Sequence, residues 1–388
     1  MIPRLIEDRA NILLQQYPLL ALIGPRQSGK TTFAKRLRPE YQYINLELAE
    51  NADFAVSDPH GFLQTYQQGV ILDEIQTVPE LLPYLKHYTD ERGIVGEYIL
   101  TGSQNFLLLE KITQSLAGRV ALQQLLPFSY LELKAVNQAI STPENFIFTG
   151  GYPRIYDKNI APMDFYPSYI STYIERDVRQ ITRVMDLRLF RQFLALCAGR
   201  AGQLVNFTEI GNILGIEAKT VKSWLGLLEA SFIVFLLPPY YRNFDKRIVK
   251  TPKLYFYDTG LACSLLNIQD ETQLNTHFAK GALFENMVIV ELLKQYLNTG
   301  KNPAFYFWQD SNMNEVDLVI QESNRLKAIE IKAGKTLNNS FFKNLALFEK
   351  LAQNENPACF LVYGGDLTQK RTTLEVLPWQ EASSIINH

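Results

Sequence analysis

Cysteine is scarce in this chain. Its 388 residues hold three, Cys197, Cys263 and Cys359, odd in number and far apart. That excludes a disulfide scaffold and any cysteine-based metal cluster, and reads as free thiols in a reducing compartment. An excess of charge of one sign is missing too. Lys and Arg total 38 against 40 Asp and Glu, a net charge of −2, so no global basic field attracts nucleic acid and any such contact rests on local patches. Long hydrophobic runs are absent. The strongest, Phe232 to Leu237, falls far short of the roughly 20 apolar residues of a membrane span. Met1-Ile2-Pro3-Arg4 does not open an apolar signal-peptide core. These absences lead to the expectation of a cytoplasmic protein without a membrane partner. There is no internal repeat and no low-complexity tract, and the length exceeds one ordinary core, so two or three domains are expected.

What is present, first of all, is a phosphate-binding loop. Gly24-Pro25-Arg26-Gln27-Ser28-Gly29-Lys30-Thr31 fits G-x-x-x-x-G-K-[ST], and Thr32 continues it. Leu19 to Ile23 reads as a buried strand before the loop, and Thr31 to Leu37 as the start of a helix after it, the order this motif needs. The two glycines let successive N–H groups face one anion, and the helix start adds its positive dipole end. Lys30 would reach the β- and γ-phosphates of ATP, and Thr31 would place a hydroxyl on Mg²⁺.

The complementary half follows. Val70-Ile71-Leu72-Asp73-Glu74 is an apolar strand ending in two carboxylates. Asp73 would hold the Mg²⁺ shell and Glu74 would polarise the attacking water. A third apolar strand, Tyr98 to Thr101, ends in Ser103, Gln104 and Asn105. Ligands of an open parallel sheet sit beyond the carboxyl ends of its strands, so one of these, with Ser103 and Gln104 foremost, is expected near the γ-phosphate as a sensor. Arg119, after one further helix, is either a finger that stabilises charge on a neighbouring subunit's γ-phosphate or a structural arginine at a helix end.

Downstream, Gly150-Gly151-Tyr152-Pro153 is a turn cluster and a domain boundary. Asp164 to Phe193 reads as helix, in the position of a lid. Phe207 to Leu225 has a helix-turn-helix pattern, with Asn206 or Thr208 as cap and Gly215 at the turn. The alternating stretch to Leu237 then resembles the hairpin of a winged helix. Lys219 and Lys222 on the second helix, and the basic residues Arg242, Lys246, Arg247, Lys250 and Lys253 beyond the hairpin, suit phosphate contacts with DNA. The same fold and charges also serve protein-binding modules. In the last segment, Glu315-Val316-Asp317 and Glu330-Ile331-Lys332 lie on neighbouring strands, with Glu285 on a helix before them. Residues i and i+2 of a strand share a face, so Glu330 and Lys332 project together beside Asp317. Glu285, Asp317 and Glu330 would bind Mg²⁺ and Lys332 would orient a water.

These words, with Leu72-Asp73-Glu74-Ile75-Gln76, Leu100-Thr101-Gly102-Ser103, Ser115-Leu116-Ala117-Gly118-Arg119, Leu126-Pro127-Phe128 and Lys253-Leu254-Tyr255-Phe256-Tyr257-Asp258-Thr259-Gly260-Leu261, resemble the bacterial and archaeal AAA-family ATPases with a DUF4143-type C-terminal region. The last segment resembles the PD-(D/E)xK nuclease core. The resemblance implies an α/β chain: a P-loop AAA+ parallel-sheet ATPase domain at 1–150, a helical lid at 151–200, a winged helix at 201–270 and a nuclease-like α/β domain at 271–388. For activity the resemblance implies nucleotide binding and no settled role; together with the patterns above, the expectation is a Mg²⁺-dependent ATP hydrolase that binds and remodels or processes DNA, working as a homo-oligomer, a ring such as a hexamer. The alternative is a nucleotide-gated, protein-binding switch with an inactive nuclease fold.

Overall fold

The structure is a computed structural model. It describes residues 2–67, 69–103, 114–138, 140–174, 186–241, 251–302, 304–323 and 325–388. The chain divides into two compact units, one made chiefly of residues 1–128 and the other chiefly of the remainder. Among the described residues, no helix is long and apolar enough to cross a membrane.

The first unit is a parallel sheet in the order β2-β3-β4-β1-β5. Its strands are β1 (Leu19–Gly24), β2 (Gln42–Asn45), β3 (Val70–Asp73), β4 (Tyr98–Ser103) and β5 (Val120–Gln124). The central strands read as unbroken apolar runs because both faces of the sheet are covered. Alternate residues sort into two cores: Leu19, Ala21, Val70, Leu72, Tyr98 and Leu100 enter one, and Leu20, Leu22, Ile71 and Ile99 the other. The second core is closed by helix α1 (Glu7–Leu14), through Ala10, Leu13 and Leu14, and by helix α2 (Lys30–Leu37), through Phe33, Ala34 and Leu37. Because all five strands run the same way, their carboxyl ends lie on one edge, and the loop Gly24–Gly29 opens there.

The second unit begins at Ser129, ahead of the turn cluster at Gly150, because the helix Pro143–Thr149 packs on the helix Thr259–Leu265. The expected helix from Asp164 to Phe193 is not one uniform element. An α-helix covers Pro162–Tyr169, with Pro167 inside it, and gives way to a π-turn over Ile170–Ile174. A separate helix, Leu187–Gly199, starts where the Asp186 carboxylate accepts the Leu189 N–H at 3.0 Å; this is an N-cap, which begins a helix afresh. Arg176, Arg179 and Arg183 lie outside the described residues.

Two further helices follow as the sequence pattern predicts. Phe207–Leu214 is capped by Asn206, whose side chain accepts the Glu209 N–H at 3.1 Å, and ends at Gly215 in the left-handed region (φ 68°). Ala218–Ala230 packs Trp224 against Phe190 and Phe193. Strands β6 (Val234–Leu237) and β7 (Lys253–Phe256) then pair antiparallel. Most of the segment between them, 242–250, which holds Arg242, Lys246, Arg247 and Lys250, lies outside the described residues.

The rest of the unit is built on a six-stranded mixed sheet, ordered β12-β13-β11-β10-β9-β8. These are β8 (Ala304–Gln309), β9 (Glu315–Glu322), β10 (Arg325–Lys332), β11 (Ala358–Tyr363), β12 (Gln369–Lys370) and β13 (Leu374–Pro378). β8, β9 and β10 are antiparallel neighbours, while β10, β11 and β13 run parallel. Leu345 and Phe348 of the helix Lys343–Leu351 pack with Trp308, Val316, Ala328 and Leu361 of this sheet.

Candidate functional site

Gly24 and Gly29 each answer a local demand. A Cβ at Gly24 would run into the carbonyl oxygen of Leu125, and Gly29 has φ 93° directly before α2. The chain therefore curls out of β1 and delivers Lys30 to the first turn of α2. Lys30 Nζ turns back into the loop and donates to the carbonyls of Gly24 (3.0 Å) and Pro25 (2.8 Å). It is buried, and that burial lowers its pKa to about 8. An ammonium held in this way against neutral carbonyls gains an anionic partner as soon as a phosphate enters the loop. We therefore expect ATP affinity to be flat below pH 8, where Lys30 is charged, and to fall by up to about tenfold per unit above it as the ammonium is lost. Dissociation constants of a fluorescent ATP analogue between pH 6.5 and 9.5 check this; an affinity that does not fall above pH 8 would refute it.

Asp73 lies at the end of β3 and is 5% exposed. Three hydroxyls meet its carboxylate: Thr31 at 2.9 Å, Tyr43 at 2.7 Å, and Thr101 in a short contact. Tyr43 arrives from β2 and Thr101 from β4, the two strands that flank β3. The sequence reading passed over both. Tyr43 has no local signal. Thr101 sits two residues before Ser103, the first of the three sensor candidates, inside a run that reads as apolar strand. The backbone of Ser103 pairs with Gly24, which places it beside the loop; its side chain, and all of Gln104 and Asn105, lie outside the described residues.

Glu74 follows in the left-handed region (φ 57°, ψ 50°), uncommon for a residue with a side chain. This turns the chain sharply out of β3 into a short 3₁₀ turn. The Glu74 N–H reaches Thr101 Oγ1 at 3.4 Å, and Gln76 donates its amide to the Glu74 carboxylate. Lys30, Thr31, Asp73 and Glu74 thus gather at one edge of the sheet. Arg119 does not join them. It directly precedes β5 at the amino end of the sheet, where its carbonyl accepts the Leu19 N–H, and its guanidinium grips Asp90 at 2.8 and 3.1 Å. The length of the strand separates it from the loop.

The C-terminal residues form a second, acidic group. The Ile331 N–H and Lys332 Nζ both donate to Asp317 Oδ2, at 2.7 and 3.3 Å, and Lys332 pairs with Glu330 at 2.7 Å. Asp317, Glu330 and Lys332 are thereby brought together. Glu285 has other partners: it accepts from the Tyr255 hydroxyl and stands 3.7 Å from Lys253 Nζ. Burial, reinforced by the nearby Asp317 carboxylate, pushes Glu285 up to about 7 and Glu330 to about 8. Among the described residues, no three carboxylate, histidine or cysteine side chains are grouped so as to hold a metal ion. The expected trio Glu285, Asp317 and Glu330 is not assembled as a cage, because lysine ammonium groups stand against its members.

Three comparisons bear on these sites. Residues 16–134 match the family model described as an AAA domain, residues 140–272 match a domain of unknown function, DUF8612, and residues 280–382 match another, DUF4143. An uncharacterized protein of Mycobacterium tuberculosis is 29% identical over 326 residues, 83% of this chain and 72% of the relative. An uncharacterized protein of Haemophilus influenzae is 23% identical over 346 residues, 79% of this chain and 80% of the relative. Among solved structures, a Walker-type ATPase of Pyrococcus abyssi is similar with a TM-score of 0.46 and 18% identity, over 69% of this chain and 96% of its own. With a parallel sheet whose loop, lysine and paired carboxylates converge on one edge, the chain carries an AAA domain at residues 16–134, and it ends in a DUF4143 region at residues 280–382.

Proposed function

We propose that this protein hydrolyses ATP at the edge of the first sheet. The observation that carries the reading is the convergence there of a buried Lys30 turned onto its own loop carbonyls with Asp73 bonded to Thr31 at 2.9 Å. The triphosphate seats in the loop from Gly24 to Thr32, on backbone N–H groups and the start of α2. Lys30 exchanges carbonyls for phosphate oxygens. Thr31 and Asp73 would hold Mg²⁺. The donor set fits a hard cation, since Asp73 is a buried carboxylate that already collects three hydroxyls where a hydrated ion would present its waters. The ion, when bound, draws charge from the phosphate oxygens. Glu74 accepts a proton from the attacking water, and Gln76 holds its carboxylate in place.

The finer reading is that hydrolysis is coupled to DNA. It draws support from the helix-turn-helix order of Phe207–Leu214, Gly215 and Ala218–Ala230, from the β6–β7 pair behind it, and from Lys219 and Lys222, both exposed on the second helix. In this reading residues 201–270 act as a winged helix and 271–388 as a PD-(D/E)xK-like domain, with the partly exposed Lys332 as the outermost member of the Asp317, Glu330 and Lys332 group. A homo-oligomer, such as a hexameric ring, gives Arg119 a neighbour's phosphates to act on.

Steady-state ATP hydrolysis with Mg²⁺, measured with and without single-stranded, duplex and branched DNA, tests the reading. The expected result is turnover that rises with one of these DNAs and loses that response at high salt, because phosphate contacts release counterions. Turnover indifferent to every DNA, with no DNA binding, moves the function to a protein-facing switch; no turnover at all refutes the ATPase.

A further inference from the structure

Four carboxylates of the second unit, Glu285, Glu315, Asp317 and Glu330, lie within reach of one another's charge without forming a cage, and two lysines stand against them. Lys332 belongs to the same strand as Glu330 and bridges it to Asp317. Lys253 is an outsider. It lies on β7, within the residues that match DUF8612 rather than DUF4143. Its side chain is 4% exposed, its ammonium pairs with Glu315, and Glu285 stands 3.7 Å away. Tyr255, two residues along β7 and so on the same face, gives its hydroxyl to Glu285. The other oxygen of Glu315 is taken by Gln309 at 2.7 Å. Two ammonium groups stand against four carboxylates, and burial together with the Asp317 charge holds Glu285 and Glu330 above the ordinary carboxylate range. The position of one unsatisfied acceptor is plain: the Glu330 side chain is 3% exposed and its Oε2 has no hydrogen-bond partner among the described residues. Buried polar atoms in native proteins are nearly always satisfied, so this open oxygen is where a further donor or cation would find its first ligand.

We propose that Lys253 is the resident cation of this acidic site, and that its ammonium excludes a divalent ion for as long as β7 is docked on the C-terminal sheet. A divalent ion needs several oxygens converging at about 2.0–2.6 Å. Lys253 and Tyr255 hold Glu285 and Glu315 to themselves instead, while Glu330 Oε2 stays open. Removing the Lys253 charge leaves Glu285 and Glu315 free to turn toward that oxygen, and an ion then enters. The inference rests on the acidic cluster of the proposed DNA-facing domain, and does not require that this domain cut DNA.

Mn²⁺ uptake by nucleotide-free protein tests it, read by the electron paramagnetic resonance of the free ion. Asp73→Asn serves as the background throughout, so that the nucleotide site adds no ion. With Lys253 present, we expect no Mn²⁺ bound below about 1 mM and a melting temperature that neither Mn²⁺ nor EDTA moves. Lys253→Met should take up one Mn²⁺ at least about tenfold more tightly, melt lower without the ion and higher with it, and lose the uptake when Glu330→Gln is added. If the Met variant does not fold, Lys253→Gln, which keeps a donor for Glu315 without the charge, decides by the same readings. Tight uptake that depends on Glu330 while Lys253 is present, or no gain when its charge is removed, overturns the inference. Mn²⁺ gained by the variant with no DNA cleaved by either protein ends the nuclease reading alone.

Discussion

Glu74→Gln should lower the turnover of ATP by about 10²–10⁴-fold, the usual worth of a positioned general base, while leaving ATP bound. The substitution is nearly isosteric. It keeps the left-handed turn at the end of β3 and an oxygen for the Gln76 amide, but it removes the group that takes the proton of the attacking water. The phosphate contacts come from elsewhere: the loop amides, Lys30 and the hydroxyl of Thr31. Affinity is therefore expected to stay within about threefold, since no contact to the ground-state nucleotide is lost. Phosphate release under saturating ATP and equilibrium binding of the same nucleotide give the two numbers. A variant that still turns over at a tenth of the wild-type rate would remove Glu74 from the chemistry. A variant that no longer binds would mean that the carboxylate supports the loop rather than the reaction.

Asp258→Ala should destabilise the second unit by about 3–5 kcal/mol, as expected when a buried, hydrogen-bonded charge is taken from its partners. Asp258 is 4% exposed. One of its oxygens accepts the Gly151 N–H at 2.7 Å. The other accepts the Tyr166 hydroxyl at 2.7 Å and, as the N-cap of the helix Thr259–Leu265, the Leu261 N–H at 3.1 Å. Alanine abandons two buried backbone N–H donors, those of Gly151 and Leu261, and one of the two acceptors of the Tyr166 hydroxyl, which also reaches the Thr149 carbonyl at 2.9 Å. Calorimetry should show the transition of this unit at least about 6 °C lower. Tyr166→Phe, which removes a single hydroxyl, should cost only about 1 kcal/mol. A loss under 1 kcal/mol for Asp258→Ala would mean that these donors find other acceptors, and the residue would no longer count as the joint of that unit.

The nucleotide loop was legible because every feature it needs is local. Gly24 and Gly29 are demanded by backbone conformation and close approach, Lys30 and Thr31 follow within the same turn, and an apolar strand leads straight into them. Asp73 and Glu74 were legible for a similar reason, as a charged end to an apolar strand, and Glu330 with Lys332 because alternate residues of one strand share a face. Tyr43 and Thr101 were not. Each reaches Asp73 only because β2 and β4 settle on either side of β3, and strand order is decided by how whole helices cover the two faces of the sheet. Helix boundaries near Asp186 were misread because an aspartate inside a helical pattern looks like a surface residue until its carboxylate is seen to cap a new start.

By itself, then, the sequence determined the chemistry of contiguous stretches: a loop shaped for phosphates, two carboxylates at a strand end, a helix-turn-helix pattern and an acidic pair with its lysine. Tertiary structure alone decided which distant groups complete them. It took Arg119 to the far end of the sheet, put hydroxyls from two flanking strands on Asp73, and set Lys253 and Tyr255 of β7 against Glu285 and Glu315. The reason is physical. Backbone conformation and side-chain alternation act over a few residues and leave a trace in the order of the letters. Ion pairs and hydrogen bonds between strands depend on register and burial, which arise only when the whole unit has packed.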